Sequence, residues 1–431
     1  MNSHNNPNIL TKTSSSKSSV KNSKAPTIFL LAGRTGGPLS PYPAIIKELK
    51  IQFPDLRPIV FGVKNGYEQV FCEKNNLELF FLPQAKLDIL SFGNNKTSSP
   101  CQGVGGYMTR LNNFVTQTLQ LIILSFKLIY SFFICIYYII KFQPKFIIST
   151  GSFLAIPMLF GAKILKILRL TKTKVVIHQL DPKPGLSNRI CVKLSDLTTC
   201  IFEYTKKKYP DFYNAKIIPN PLLIDKFQTS NNFQNQELQI FWNLPLSGGR
   251  GVQSNSNQKL PTLLIFGGGS GALAINDWVY NNLESLVSKY RIIHLIGILQ
   301  DNGTNEIKLK PSPIRGLRGT TNYLSLPALY EDMPSLLASV DYIIARSGVG
   351  TISELQFLSK KAFLVPIPDT HQELNAELVQ SQFIILDQNK TSQWLDIIDQ
   401  SITQNLWQKK ENSYDQKSLE EYYRELKKLV R

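Results

Sequence analysis

Histidine is scarce in this chain: 431 residues hold four, His4, His178, His294 and His371. Chemistry that needs an imidazole is confined to those positions. The five cysteines, Cys72, Cys101, Cys135, Cys191 and Cys200, are odd in number, scattered, and form no C-x-x-C pair. That argues against a zinc site or a disulfide framework and fits a reduced cytoplasm. No G-x-x-x-x-G-K-[ST] run occurs, which speaks against nucleotide hydrolysis of the P-loop kind. No Asp-x-Asp pair occurs either, removing the usual handle for a metal-bound nucleotide sugar. Neither a metal nor a cofactor is expected. Residues 1–24 contain no acidic residue and no apolar signal core, and read as a disordered basic tail.

What is abundant is positive charge. Lys and Arg number 48 against 31 Asp and Glu, a formal net charge of +17. Such an excess favours an anionic partner, either nucleic acid or anionic lipid, although a general Lys, Asn and Ile bias would also produce it. No basic cluster interleaved with aromatics follows the tail, so nucleic acid is not expected. The length suits two domains.

Strand-like runs alternate with helix-length segments from Thr27 onward. The first series is Thr27–Ala32, Pro58–Val63, Glu78–Leu82, Phe146–Thr150, Lys174–Gln179 and Leu197–Phe202. The second is Leu263–Phe266, Arg291–Gly297, Asp341–Ala345, Ala362–Pro366 and Phe383–Leu386. This alternation predicts an α/β chain with two mainly parallel sheets, Rossmann-like domains in tandem around a cleft. The expected layout is a tail at 1–26, a first domain at 27–227 and a low-complexity linker or insertion at 228–258. A second domain at 259–390 and helices at 391–431 complete it, the charged Asp415–Arg431 packing as a surface helix.

Three glycine-bearing turns follow strands: Gly33-Arg34-Thr35-Gly36-Gly37, Gly267-Gly268-Gly269-Ser270-Gly271 and Ser347-Gly348-Val349-Gly350. A strand that ends in glycines and re-enters as a helix leaves free N–H groups at a positive dipole end, a seat for phosphate. Each turn has an equally good structural reason for its glycines. The first departs from G-x-G-x-x-G, which weakens a dinucleotide dehydrogenase. After the third, Thr351 and Ser353 offer hydroxyls at a helix start. Glu354, placed in the first turn, can accept from the vicinal hydroxyls of a ribose or simply favour the helix N-terminus.

Leu119–Ile140 approaches a membrane span in length and apolarity. Lys127 near its middle is costly for a span, and crossing the bilayer here would split the first sheet. The alternatives are a helix with one face on the sheet and the other on lipid, or one buried wholly in protein.

Taken in order, these segments resemble the MurG family of glycosyltransferases, which move N-acetylglucosamine from UDP to an undecaprenyl-diphospho-muramoylpeptide. The resemblance rests on Gly33–Gly37, Ser149-Thr150-Gly151-Ser152-Phe153, His178–Asp181 with Pro184–Arg189, Asn220-Pro221, Gly267–Ala272, Arg346–Glu354, and Val365-Pro366 with His371–Ala376. It implies the GT-B fold, inversion at the anomeric carbon and no obligatory metal. By position, Thr35, Gly36 and Gly37 would line the cleft beside sugar and acceptor diphosphate. Gly269, Ser270, Gly350, Thr351 and Ser353 would serve the donor, with Glu354 on the ribose and Tyr330 where the uracil is read. Gln372 and Asn375 would contact sugar hydroxyls. The partners implied are UDP-N-acetylglucosamine, a polyprenyl-diphosphate-linked muramoyl peptide and an anionic membrane, with peripheral attachment at the cytoplasmic face.

The departures fall on the catalytic side. Arg34 and Pro38 stand where the family has a second glycine and a histidine often cast as base. Gln179-Leu180-Asp181 replaces Glu-Gln-Asn, Leu223 an arginine, and Gly269 a serine. Pro38 cannot exchange a proton, so Asp181 is the first candidate base and also a cleft contact, with His178 second. A related transferase with another lipid acceptor, such as a diacylglycerol, and a catalytically impaired sugar-nucleotide-binding scaffold are the competing expectations.

Overall fold

A computed structural model of the chain describes residues 25–33, 36–64, 66–83, 126–244, 260–268, 272–297, 322–407 and 414–431. The first sheet holds β1 (Thr27–Leu31), β2 (Arg57–Gly62), β3 (Glu78–Phe81), β4 (Phe146–Ser149), β5 (Lys174–Gln179), β6 (Leu197–Cys200) and β7 (Lys216–Ile217). Their spatial order is β3-β2-β1-β4-β5-β6-β7. The second sheet holds β8 (Thr262–Phe266), β9 (Arg291–Leu295), β10 (Tyr323–Leu326), β11 (Tyr342–Ala345), β12 (Lys361–Leu364) and β13 (Ile384–Ile385), in the order β10-β9-β8-β11-β12-β13. Every neighbouring pair is parallel, and the two-domain GT-B architecture is the one observed.

Parallel strands covered on both faces are apolar throughout, and β1 shows why. Ile28 and Leu30 enter one core with helix Tyr42–Gln52, while Phe29 and Leu31 enter the other with Ile147 and Met158. The expected strands mostly ran a residue or two past their ends, because the apolar run continues into the turn after the ladder stops. β7 and β10 had not been expected. β7 is two exposed residues, and β10 is only half-buried, so neither carries a pattern.

Three segments depart from or refine expectation. The helix Gln416–Val430 lies on the surface as expected, held there by a wide apolar face. Leu419, Tyr422, Leu426 and Val430 recur at helical spacing and are buried in the core of the first domain, with Ile28 and Tyr42. Lys427 pairs with Glu48 at 2.6 Å and Glu425 with Lys216 on the outer side. Within 228–258, helix Gln236–Asn243 buries Leu238 and Phe241 in the core of the second domain; 245–259 lies outside the described residues. Of Leu119–Ile140, positions 119–125 also lie outside them.

The described part of that last helix, 126–142, has two faces. Cys135 and Ile139 are buried against the sheet, while Phe126, Ile129, Tyr130, Phe133, Tyr137 and Ile140 are exposed. Its neighbour, helix Ala155–Ile167, packs so closely that a Cβ on Gly161 would lie 3.4 Å from Ile136. Phe160, Ile164 and Ile167 extend the same exposed apolar surface. Among the described residues no helix is long and apolar enough to cross a membrane.

Candidate active site in the cleft between the sheets

In a doubly wound sheet, ligands bind beyond the carboxyl ends of the strands where the strand order reverses. Those points are β1/β4 in the first sheet and β8/β11 in the second. The glycine turns follow β1, β8 and β11, and Ser149-Thr150-Gly151 follows β4, so the singled-out turns occupy both switch points. The two domains meet here: a Cβ on Gly350 would lie 3.8 Å from the Cβ of Ser40.

On the side of the first domain, Arg34 and Thr35 lie outside the described residues, whereas Gly36 and Gly37 are exposed at the cleft. The turn is held from behind. Thr150 Oγ1 donates to the Pro38 carbonyl at 2.7 Å, and Tyr42 Oη donates to the Leu31 carbonyl at 2.6 Å. Tyr67 flanks it, its ring 3.3 Å from where a Gly36 Cβ would be. Asn220 Nδ2 donates to Ser40 Oγ at 3.3 Å, so the Asn220-Pro221 segment braces the same corner.

On the side of the second domain, Gly269 and Ser270 lie outside the described residues. Gly267 is required by close packing, since a Cβ there would fall 2.2 Å from that of Ala272. The helix after β11 spans Val349–Phe357, with Gly348 as its cap. Its first N–H groups, at Val349, Gly350 and Thr351, have no partners within the helix. Glu354 is therefore in the second turn, not the first. Burial alone pushes its carboxyl up to about 7. Ser353 is corrected too: its hydroxyl is buried and donates to the Val349 carbonyl at 2.8 Å, so it closes its own helix and does not face a ligand.

Helix His371–Val379 supplies the next wall. Thr370 caps it by accepting from the Gln372 N–H at 3.2 Å. Ser347 Oγ donates to the Gln372 carbonyl at 2.8 Å, and Asn375 Nδ2 donates to the Ser347 carbonyl at 3.0 Å, fixing this helix to the β11 turn. The buried Gln372 Oε1 and Asn375 Oδ1 have no hydrogen-bond donor from the described residues, and a buried acceptor of that kind is costly unless a ligand completes it. At the far end of the cleft Tyr330 is exposed beneath Lys74, whose Nζ lies 4.7 Å from its ring centre.

Asp181 reaches this group from the first domain. Gln179 Nε2 donates to the Asp181 carbonyl at 2.7 Å, and Asn188 Nδ2 holds Gln179 at 2.6 Å, so the loop after β5 is shaped by the Pro184–Arg189 segment. The Asp181 carboxylate sits 3.9 Å from His371 Nε2. Its walled position raises its affinity for a proton above the usual carboxylate range, while His371 and Asn375 pull the other way.

His178 does not belong to the site. It is fully buried, its Nδ1 lies 2.8 Å from Thr199 Oγ1, and its ring stacks on Tyr422 at 6.1 Å. Burial drives its pKa down to about 3, so it is a neutral packing group and not a base. Sequence reasoning missed Ser40, Tyr67 and Lys74, which carry no motif and reach the cleft only through tertiary packing. It named His371 without a role, although the rarity of histidine was a usable signal.

The profile of the Glycosyltransferase family 28 N-terminal domain matches residues 28–198, and that of its C-terminal domain matches 262–429. The chain is 27% identical over 367 residues to a Bacillus pumilus protein described as UDP-N-acetylglucosamine--N-acetylmuramyl-(pentapeptide) pyrophosphoryl-undecaprenol N-acetylglucosamine transferase, covering 82% of this chain and 83% of the relative. The Bacillus subtilis protein of the same description is 25% identical over 355 residues, covering 81% and 82%. The crystal structure of Acinetobacter baumannii MurG is similar in fold, with a TM-score of 0.58 at 18% identity over 94% of this chain and 99% of that one.

Proposed function

The chain belongs to glycosyltransferase family 28 as a divergent member of its MurG branch, and on that premise we propose that it transfers N-acetylglucosamine from UDP to a lipid-linked muramoyl peptide. The observation that carries this reading is the meeting of both switch points in one cleft, with Gly350 beside Ser40 and Asp181 beside His371 and Asn375. A ligand seated there touches both domains at once, as a reaction between two diphosphate-bearing substrates requires.

On this reading the helix start at Val349–Thr351 neutralises the donor diphosphate with backbone N–H groups, without a metal. Glu354 accepts from the ribose, and Tyr330 marks the uracil end. Gln372, on the first turn of its helix, serves the sugar hydroxyls, and Asn375, buried behind it, offers an unpaired acceptor that a small shift of the helix would bring to them. Gly36 and Gly37 face the acceptor diphosphate. Asp181 takes the proton of the acceptor hydroxyl as that oxygen attacks the anomeric carbon from the face opposite UDP, inverting it. A carboxylate made more basic by its surroundings is better suited to this than a solvated one. The exposed apolar surface of the helices 126–142 and Ala155–Ile167, beside Lys127 and Lys163, rests on an anionic membrane at the cytoplasmic face and brings the lipid acceptor to the cleft.

UDP release from UDP-N-acetylglucosamine, followed with lipid-linked muramoyl peptide and separately with diacylglycerol, tests the proposal. Release dependent on the muramoyl lipid supports it. Release dependent on diacylglycerol alone reassigns the acceptor, and UDP binding without release under any condition leaves a sugar-nucleotide-binding scaffold.

A further inference from the structure

Asp181 and His371 belong to different domains, yet His371 Nε2 lies 3.9 Å from Asp181 Oδ1. The separation is too long for a hydrogen bond. Domain closure of about 1 Å would bring the two atoms within hydrogen-bond range, bridged by a proton on either one. Both side chains remain open to solvent, 54% exposed for His371 and 40% for Asp181. The other described histidines are unavailable. His178 is buried as above, and His294 has both ring nitrogens engaged at 3.0 Å, by Tyr323 Oη and Asn276 Oδ1. His371 is thus the one histidine among the described residues that opens on the cleft.

We propose that His371 is a positioning and proton-relay residue that acts through Asp181 and completes the site only when the two domains close. The inference rests on the assignment of Asp181 as the proton acceptor. As the acceptor oxygen bonds to the anomeric carbon, the bond to UDP breaks and its electron pair leaves on the diphosphate. The acceptor proton passes to the Asp181 carboxylate. From there it moves to Nε2 of His371, the ring nitrogen that faces the carboxylate across the cleft. His371 hands the proton to water when the cleft opens to release UDP, and both groups return to their starting states. The imidazole, 54% exposed against 40% for the carboxylate, carries that proton on toward solvent. Gln179 and Asn188 fix the loop of Asp181, while Thr370 and Ser347 fix the helix of His371, so the pair reports the relative position of the domains.

The test measures UDP release and UDP binding for Asp181→Asn, His371→Gln and the double variant. His371→Gln is expected to lower kcat about 10- to 100-fold, less than the roughly 10²–10⁴-fold expected for removing the base. UDP affinity and donor KM should stay within about twofold, and the double variant should be no slower than Asp181→Asn alone. Added imidazole should restore turnover to His371→Ala, which a merely structural role would not allow. Full kcat in His371→Gln, losses that multiply in the double variant, or a raised donor KM at unchanged kcat would each overturn the relay. The acceptor assignment fails separately: a parent protein that releases UDP to water or to another lipid, but not to the muramoyl lipid, still reports the relay in its release rates. A parent that releases no UDP to any acceptor overturns both.

Discussion

Lys74 Nζ lies 2.8 Å from Glu331 Oε1, joining helix Tyr67–Asn75 of the first domain to the loop before helix Met333–Ser339 of the second. The same ammonium lies over the ring of Tyr330, and its charge holds the Glu331 carboxyl below the usual range. The pair is half-exposed, so its effect on global stability is small, at most about 1 kcal/mol. Its position across the cleft makes it a tether between the two domains. Lys74→Ala should weaken UDP binding about two- to fivefold in dilute buffer. Because exposed charges are screened over about 8–10 Å at physiological salt, the difference from the parent should vanish in calorimetry at high salt.

Glu354→Ala should weaken UDP binding by about 1.5–3 kcal/mol, the range for hydrogen bonds to a charged group. The pH dependence has a definite sign. With its carboxyl held at about 7, Glu354 is mostly protonated in the free protein below that pH. Two ribose hydroxyls need the ionised form as acceptor, so binding expels a proton. UDP affinity should rise as pH passes from about 6 to 8 and level off above, and Glu354→Gln should flatten the curve. Proton release measured in two buffers of different ionisation enthalpy checks it.

For His178 the linkage runs through stability. Its folded pKa of about 3 lies below the ordinary value of 6.5, so the unfolded chain binds a proton there that the folded one refuses. Stability is lost as pH falls below about 6.5, with a limiting slope of about 1.4 kcal/mol per pH unit from this one group. Denaturant titrations between pH 5 and pH 7 should show a shallower slope in His178→Phe, while UDP binding by the folded variant persists.

The apolar face of the helix 126–142 gives a fourth expectation. Ile129, Phe133 and Tyr137 are each more than half exposed, so replacing all three with serine removes little from the core. Flotation with anionic vesicles should show binding lost at unchanged melting temperature. Parent binding should decline as salt rises while keeping a salt-resistant remainder from buried apolar area.

Much of this was legible in the sequence because parallel strands advertise themselves. β1, β4, β8 and β11 are unbroken apolar runs ending in glycine or small polar residues, and those runs fixed both switch points. What stayed hidden depends on partners distant in sequence. His178 and Asp181 are three residues apart and both stood as candidate bases, Asp181 first, yet one is sealed under Tyr422 and the other stands open. Ser353 and Glu354 sit side by side on one helix. Only the helix start at Val349 shows that the first turns back to the Val349 carbonyl while the second keeps its carboxyl off the helix backbone. The charged surface of Gln416–Val430 concealed a stripe whose destination lay some four hundred residues upstream.

That destination imposes an order on biosynthesis. The wall of the first domain that covers Ile28, Leu30 and Tyr42 is supplied in part by Leu419, Tyr422 and Leu426, which are made after the second domain. The domain made first must wait, with an apolar face open, while the whole of the second is translated and folds. A chain cut after residue 407 should therefore carry a protease-resistant second domain behind a first domain that is still digestible. Docking of helix Gln416–Val430 then acts as the step that commits both halves together, and a first domain cut off from that helix should lose stability.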